Sequence, residues 1–331
     1  MRRRQMKKQK RIIIISSLCL LLCLCVGYAA FNTQLSIRAK GNIIENSVDI
    51  TDNVVTEGDG LYEDIYEEGR YVYRGQDPDN YIMFNDELWR IIAKEADGTY
   101  KIIRNDILAK RAYDNQNRTE SSTYCTSASG CGVYAAVDGT FSSPSGSQSG
   151  TVTEDSSIKI YLNDDYYTNN INETAKGQMT SHSFNIGAVE RLNQSGAEAD
   201  SIEKNIAGEE MYTWTGNVGL ANVSDILRAS TNPLCTSATT SYSDSDACNS
   251  NYLLDKGAAS TLYYWTINAY SFESGGYSRG VWLGFVDGSA AYLYYNYAYN
   301  SSTAAPRPVV FLKSDTTLNG SGTSDDPFTI V

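Results

Sequence analysis

Residues 263–313, around which we expect the rest of the chain to be organised, read YYWTINAYSFESGGYSRGVWLGFVDGSAAYLYYNYAYNSSTAAPRPVVFLK. The stretch holds nine of the 25 tyrosines, two of the four tryptophans and a short apolar run at Val309–Leu312. Asp287-Gly288 stands between two runs of β-forming residues, which is a strong signal for a hairpin turn. The sequence therefore predicts a Tyr-rich antiparallel sheet that begins at Leu262 and ends at Ser314.

The first 31 residues carry an export signal. Residues 1–11 contain seven basic and no acidic residues, and the twenty residues 12–31 are uncharged. A basic segment before an apolar one stays in the cytoplasm, so the rest of the chain is expected outside. Residues 12–31 are long enough to cross a bilayer, and Gly27 and Ala29 also permit cleavage by signal peptidase. Two interpretations stay open. The chain is a cell-membrane protein, with an N-terminal hydrophobic helix and an extracellular C-terminal domain, or it is secreted after cleavage behind Ala29.

Beyond this segment the chain is strongly acidic. Without the seven N-terminal cations, 20 of the 27 basic residues remain against 39 acidic ones, a formal net charge of −19. Such a surface repels phosphate backbones, which excludes nucleic acid as a partner. Residues 32–69 are polar and acidic without a clear period, and they are expected to form a stalk or linker. A single domain is expected at residues 70–331.

Three patterns predict the architecture of that domain. Apolar runs separated by turn residues, with Asp97-Gly98 as a clear hairpin signal, predict an N-terminal β-meander over residues 70–107. Residues 112–157 are rich in Ser, Thr and Gly, which predicts a loop insertion. Apolar residues at helical spacing between Ile158 and Met179 predict two short helices with a break near residues 168–172. With the C-terminal sheet, these elements make an α+β fold.

The four cysteines outside the N-terminal segment lie in two close pairs, Cys125/Cys131 and Cys235/Cys248. In an exported chain this pattern predicts two disulfides, each stabilising the fold by about 2–3 kcal/mol on the loop-entropy model. A zinc site is the alternative, but neither pair has C-x-x-C spacing and His182 is the only histidine of the chain. We expect His182 to be structural or solvent-facing, and we expect no metal and no cofactor.

Four segments carry a resemblance to a known family. They are NYIMFNDELWRII at residues 80–92, YLNDDYY at 161–167, GLANVSD at 219–225 and RPVVFLKSD at 307–315. Together with VGYAAFNT near the N-terminus, they resemble an exported family of Gram-positive gut bacteria, over most of residues 70–331. Members of that family carry a domain of unknown function that looks like the C-type-lectin or formylglycine-generating-enzyme type of fold.

The resemblance implies a C-type-lectin-like core with two helices and a terminal antiparallel sheet that bears long loops. It implies no particular chemistry, because such scaffolds carry unrelated sites. Calcium-dependent lectins of this type use a Glu-Pro-Asn, Gln-Pro-Asp or Trp-Asn-Asp signature, and the sequence has none of them. Formylglycine generation requires a reactive cysteine pair in the C-terminal core, and no cysteine follows Cys248.

The candidate binding residues are tyrosines and asparagines of the C-terminal sheet. Their side chains supply amphipathic contact area with adaptable hydrogen bonds, as in antibody paratopes. Because tyrosines stand at both parities of one strand, one face cannot bury them all, and some are expected to be exposed. The candidates are Tyr270, Tyr277, Tyr292, Tyr294, Asn296, Tyr297, Tyr299 and Asn300. The alternative is a sheet whose tyrosines pack across the strands and bind nothing.

We therefore expect a non-enzymatic, adhesin-like protein of the cell surface or the medium that recognises a glycan or protein ligand through this Tyr/Asn face. Two other classes stay open: an extracellular carbohydrate-active or other hydrolase with an unrecognised carboxylate pair, and a structural envelope protein. The acidic pairs Asp244/Asp246 and Asp325/Asp326 lack the spacing of an EF-hand and are interpreted as solvated loop charges. Carboxylates that line a deep pocket would favour the hydrolase, and an exposed Tyr patch would favour binding.

Overall fold

The structure is a computed structural model that describes residues 47–116, 125–126, 130–191, 201–235, 248, 251–254, 262–272, 280–286 and 291–331. The predicted N-terminal signal or anchor, Tyr277, the Asp287-Gly288 turn and the Asp244/Asp246 pair lie outside the described residues. No helix in the described ranges is long and apolar enough to cross a membrane.

Within these ranges the chain has a mixed α+β fold that consists mostly of sheets. The strands are β1 (Gly60–Glu63), β2 (Tyr71–Arg74), β3 (Tyr81–Phe84), β4 (Glu87–Lys94), β5 (Tyr100–Arg104), β6 (Cys125–Thr126), β7 (Gly130–Cys131), β8 (Thr140–Ser142), β9 (Ser149–Thr151), β10 (Met179–Thr180), β11 (His182–Asn185), β12 (Val189–Arg191), β13 (Thr213–Gly216), β14 (Leu262–Phe272), β15 (Gly280–Val286), β16 (Ala291–Tyr297), β17 (Val309–Leu312), β18 (Leu318–Asn319) and β19 (Thr329–Ile330). The α-helices are α1 (Ser157–Ile160), α2 (Tyr167–Asn170), α3 (Glu173–Gln178), α4 (Ile202–Glu209) and α5 (Val223–Arg228).

The first sheet has the strand order β1-β2-β4-β5-β17-β10, and β3 also pairs with β4. Strands β3, β4 and β5 pair in chain order and confirm this part of the predicted meander over residues 70–107. Strand β2 departs from it, because it pairs with β4 beside β3. Asn85 and Asp86, which join β3 to β4, both have positive φ angles, the backbone that a two-residue hairpin turn requires and that Asn and Asp tolerate. The turn before β5 uses Gly98 at φ 86°.

Strand β17 corrects the prediction that the Tyr-rich sheet extends to Ser314. Its four residues, Val309–Leu312, pair with β5 on one side, and β10 pairs with β17 on the other, so β17 belongs to the first sheet. All four are buried. A strand with an unbroken apolar sequence is buried on both faces, and a central position in a sheet provides this burial.

The second sheet has the order β12-β14-β15-β16 and holds the rest of the Tyr-rich stretch. Strands β14, β15 and β16 are antiparallel, whereas β12 joins β14 in parallel. Both faces of its centre are buried. On one face Trp265 packs edge-on against Tyr113, with ring centroids 5.8 Å apart. On the other face the indole N–H of Trp282 donates to the carbonyl of Val189 at 2.9 Å.

Residues 47–69 correct the predicted boundary of the stalk at residue 69. Strand β1 pairs antiparallel with β2, and Val48 bridges to Leu318. Ile50 and Leu61 are 1% and 2% exposed. This stretch has few apolar residues, and its isolated inward-facing ones do not form a recognisable period. The fold therefore begins earlier than the composition indicates.

The predicted insertion at residues 112–157 is packed into the fold more extensively than a surface loop would be. It contains the hairpin β8–β9, and Tyr113, Tyr134 and Phe141 are fully buried. The hydroxyl of Tyr134 donates to the carbonyl of Val218 at 2.8 Å. Its aromatic residues thus hold the segment on the core, although the Ser- and Gly-rich composition predicts a loop.

The helical prediction over residues 158–179 is confirmed. Helices α1 and α2 are joined by a π-helical segment, Tyr161–Tyr166, and the run ends at Asn170. Ile171 has an extended backbone, and the side chain of Asn172 then caps α3 by accepting from the backbone N–H of Ala175. The break thus falls within the predicted residues 168–172.

Candidate functional site

One end of the second sheet carries four partly exposed aromatic rings on a single face. Phe285 on β15 lies between Tyr263 on β14 and Tyr292 on β16 in the strand register. The ring centroid of Phe285 lies 4.4 Å from that of Tyr263, 4.2 Å from that of Tyr292 and 6.1 Å from that of Tyr294. We call Tyr263, Phe285, Tyr292 and Tyr294 the aromatic surface. Each of the four is partly exposed, so ring area is accessible to solvent.

Tyr270 is a correction to the predicted binding set, because the structure buries it completely. Gly280 lies opposite Tyr270 on β15, and a Cβ at this glycine would lie 3.2 Å from the ring of Tyr270. The missing side chain lets the ring of Tyr270 cross β15 and stack on that of Tyr295, with centroids 3.9 Å apart. Cross-strand packing, the alternative considered above, therefore applies to this tyrosine.

The remaining candidates lie at the end of β16 and in the turn behind it. Tyr299 is 47% exposed, and its ring stacks on that of Tyr297 at 5.4 Å. Asn296 and Asn300 use their side-chain oxygens locally. That of Asn296 accepts from the backbone N–H of Tyr297, and that of Asn300 accepts from the backbone N–H of Ser302. The two asparagines shape this turn, and the exposed ring area comes from the tyrosines.

The cysteine prediction is confirmed for Cys235 and Cys248, which form a buried disulfide with their Cα atoms 4.9 Å apart. Cys131 is also disulfide-bonded, and it lies opposite Cys125 in the β6–β7 pair. Among the described residues no group of His, Cys, Asp and Glu is arranged to hold a metal ion. Asp326 accepts from the backbone N–H of Ser321 and shapes a turn.

A second candidate site, which no sequence pattern indicates, is a cavity of about 280 Å³ beside the first sheet. Its charged lining residues come from β5, α4, α5 and the segments next to β2 and β4. We call it the charged pocket; its charged residues include Glu67, Arg70, Glu95, Lys101, Glu209 and Arg228. It shares no residue with the aromatic surface.

Asp225 is the centre of the ion pairs behind the charged pocket. It is 2% exposed, and its Oδ2 accepts from Lys101 Nζ at 2.6 Å. Its Oδ1 accepts from Arg70 at 3.4 Å and lies 3.8 Å from a guanidinium nitrogen of Arg228. Burial by itself would raise the pKa of Asp225, but the three cations lower it to about 2. Asp225 is therefore ionised throughout the physiological range.

Asp225 also stabilises the N-terminus of helix α5. It stands at the third helical position, and its side chain accepts from the backbone N–H of Asn222, the N-cap, at 2.9 Å. The side chain of Asn222 is bonded reciprocally to the backbone of Asp225, which completes a capping box. The sequence Asn222-Val223-Ser224-Asp225 carries the capping-box signal, but it does not indicate which cations surround the carboxylate.

Glu209 at the end of α4 differs from the other buried carboxylates of the pocket. Its two oxygens accept from the backbone N–H of Ser224 at 2.8 Å and from the Ser224 hydroxyl at 2.5 Å. No cation of the described residues lies within ion-pair distance of it. Burial raises the pKa of Glu209 to about 7, because the charged form loses its hydration. A buried group that titrates near neutral pH is a feature of functional sites.

His182 lies at the edge of the same pocket and is held in place by its neighbours. Its ring stacks on Phe311 with centroids 3.8 Å apart, and its Nε2 lies 3.1 Å from the carboxylate of Asp97. Its Nδ1 lies 3.0 Å from the carbonyl of Ser183. The arrangement places the imidazole across the end of β17 and agrees with a structural role.

Comparison with known proteins leaves the function to the geometry of these two sites. No family model, no curated protein and no solved structure matches the chain.

Proposed function

We propose that this protein is a non-enzymatic binding protein of the cell surface or the medium that holds an uncharged glycan against the aromatic surface. The observation that carries the proposal is the cluster of four partly exposed rings on one face of β14, β15 and β16. Tyrosine rings offer a flat apolar face and a polar edge, which suits a ligand with apolar ring faces and hydroxyl groups. Exposed aromatic clusters are enriched where proteins bind their partners.

The negative net charge of the protein favours uncharged glycans over anionic ones as ligands. The basic and apolar N-terminal segments support a location of the domain outside the cytoplasm, and the residues after them carry a formal net charge of −19. Sulfated or other anionic polysaccharides are repelled by a surface of this sign, as nucleic acids are. Among the described contacts, one cation lies next to the aromatic surface. It is Lys110, whose ammonium is 5.6 Å from the ring centroid of Tyr263. Uncharged glycans are therefore the ligand class that we propose.

A lectin-like scaffold is part of the proposal. The family resemblance and the mixed α+β architecture, with its β-meander, short helices and Tyr-rich antiparallel sheet, support it. The export signal supports a location at the membrane, through residues 12–31, or in the medium after cleavage.

Binding is preferred to hydrolysis because of how the pocket carboxylates are engaged. Glycoside hydrolysis uses two carboxyl groups, one on each side of the scissile bond. In the charged pocket Arg70 holds both oxygens of Glu95, at 2.7 and 3.3 Å, and Glu67 is 47% exposed. Among the described lining residues, no second carboxylate is both buried and without a cation. Glu209 therefore has no partner for the two-carboxylate mechanism.

A glycan-array experiment with the purified full-length chain tests the proposal. The array carries uncharged, sulfated and sialylated glycans, and the double variant Tyr292→Ser/Tyr294→Ser is measured beside the wild type. Tyr71→Ser is the matched control, since Tyr71 is a partly exposed tyrosine on the first sheet. We expect the wild type and Tyr71→Ser to bind uncharged glycans, and we expect the double variant to lose at least about tenfold in affinity.

Circular dichroism and thermal melting establish that the double variant is folded. If the wild type binds no glycan, or if the folded double variant binds as tightly as Tyr71→Ser, the aromatic surface is not the binding site.

A further inference from the structure

The charged pocket is a second site whose lining leaves two groups of opposite charge incompletely satisfied. It is separated from the aromatic surface in the fold, since its residues lie on or next to the first sheet, on β11, and on or next to helices α4 and α5. Ligand binding in the charged pocket is therefore independent of glycan binding at the aromatic surface.

Lys101 is the cationic anchor of the pocket. Its ammonium is buried and donates to Asp225 at 2.6 Å and to the side-chain oxygen of Asn222 at 3.2 Å. An ammonium has three N–H donors, so one of them is left without an acceptor among the described residues. A buried donor of this kind favours a ligand that brings an anionic acceptor into the pocket.

Glu209 is the complementary anionic group. Ser224 supplies both of its hydrogen bonds, and within the described part of the chain it has no ion-pair partner, although it is 2% exposed. A buried carboxylate without a cation is costly when it is ionised. A ligand ammonium next to Glu209 would supply the missing charge.

The remaining wall of the pocket is apolar. Phe184, Ile206 and Phe311 line it beside the polar groups, and Phe184 and Phe311 are almost fully buried. Its volume of about 280 Å³ lies at the lower end of the range for small-molecule sites. The site therefore combines a cation, an anion and an apolar wall in a space for one small molecule.

We propose that the charged pocket binds a free α-amino acid with an apolar side chain. Its carboxylate accepts from Lys101, its ammonium donates to Glu209, and its side chain packs against Phe184 and Phe311. A zwitterion adds no net charge to the pocket, so it satisfies both groups without disturbing the balance of the ion pairs behind them.

Binding is expected to depend on pH through Glu209. The groups that act on its carboxylate are Ser224, Asp225 and Arg228 on α5, and the other ionisable lining groups are Glu67, Arg70, Glu95, Lys101, His182 and Glu210. Burial holds the pKa of Glu209 at about 7. Between pH 8 and pH 6 its ionised fraction falls about tenfold, so the affinity for the ligand ammonium should fall by about the same factor.

Isothermal titration calorimetry of the full-length chain with the twenty common amino acids tests the proposal. We expect saturable binding of amino acids such as L-leucine. Two analogues separate its charges: 4-methylpentanoate lacks the ammonium, and 3-methylbutylamine lacks the carboxylate. Each should bind at least about tenfold more weakly than leucine, because each loses one charge-assisted hydrogen bond.

The variant Glu209→Gln keeps the shape of the side chain and removes its charge. It should bind leucine at least about tenfold more weakly at pH 8, and its affinity should lose the dependence on pH between 6 and 8. Glu203→Gln, which removes an exposed carboxylate from the same helix, is the matched control and should bind as the wild type does. The variant Tyr292→Ser/Tyr294→Ser should also retain leucine binding, which distinguishes this site from the aromatic surface.

Three results would overturn the proposal. They are the absence of saturable binding by any of the amino acids, binding of 3-methylbutylamine as tight as that of leucine, and unchanged affinity in folded Glu209→Gln.

Discussion

Replacing Glu209 by Gln should stabilise the protein at neutral and alkaline pH and leave its stability almost unchanged in acid. The carboxylate of Glu209 is buried and has no ion-pair partner among the described residues, and burial raises its pKa from an ordinary value of 4.5 to about 7. The folded state therefore holds a proton that the unfolded state releases between these two pH values. As the pH rises from 4.5 to above 7, the free energy of unfolding falls.

The size of the effect follows from the two pKa values. A pKa raised from 4.5 to about 7 corresponds to about 3 kcal/mol, at 1.36 kcal/mol for each unit. Gln has the shape of the protonated acid, and its amide offers an acceptor and a donor to Ser224. The difference in unfolding free energy between Glu209→Gln and the wild type should thus grow by about 3 kcal/mol from pH 4.5 to pH 8.

Urea denaturation followed by tryptophan fluorescence at pH 4.5, 6, 7 and 8, without added ligand, measures this difference. All other groups titrate in both proteins, so their contributions largely cancel. Glu203→Gln on the same helix provides the control, with an expected difference within about 0.5 kcal/mol at each pH. A difference between Glu209→Gln and the wild type that stays constant from pH 4.5 to pH 8 would contradict this prediction, because it would mean that ionising Glu209 costs no free energy in the folded protein.

Three further predictions concern the ion pairs, the second sheet and helix α3. Asp225→Asn should destabilise the protein by about 3–5 kcal/mol in urea denaturation at pH 7, because Lys101, Arg70 and Arg228 lose their shared carboxylate. The stabilisation by Asp225 is fully present above its unfolded-state pKa near 3.8 and is lost as the pH falls through its folded-state pKa of about 2. The difference in unfolding free energy between Asp225→Asn and the wild type should therefore shrink between these two pH values. An equal difference at pH 7 and pH 2 would contradict this prediction. Gly284→Ala should cost about 1–3 kcal/mol in thermal melting, since a Cβ there would lie 2.6 Å from the ring of Tyr264. Gly177 lies in α3 with open space around it, so Gly177→Ala should instead stabilise the protein by up to about 1 kcal/mol. Equal effects on thermal stability at the two glycines would show that the contact with Tyr264 does not cause the loss in Gly284→Ala.

Local patterns were sufficient for the elements that depend on neighbours in sequence. The β-meander followed from apolar runs and turn residues, the two short helices followed from the period of residues 158–179, and the Cys235–Cys248 disulfide followed from an even number of cysteines in close pairs. In each case the residues that determine the structure are within about fifteen positions of one another, so hydrogen bonding, capping and loop closure act locally.

The placement of β17 and the burial of Tyr270 depended on tertiary structure. Strand β17 pairs with β5, about two hundred residues earlier, and nothing in Val309–Leu312 indicates which sheet it joins. Tyr270 is buried because Gly280, on the neighbouring strand, leaves room for its ring to reach Tyr295. A tyrosine with alternating neighbours has the same sequence signature whether its face is covered or open.

Composition and short-range periodicity are thus sufficient for the acidic charge, the α+β class and the local elements of this protein, and the N-terminal pattern predicts export. The two candidate sites, in contrast, form only in the folded chain. Lys101 and Glu209 have ordinary surroundings in the sequence, and they become unusual when β5, α4 and α5 bury them around Asp225. Removal of charges from water causes their special chemistry, and that removal occurs only when segments more than a hundred residues apart pack together.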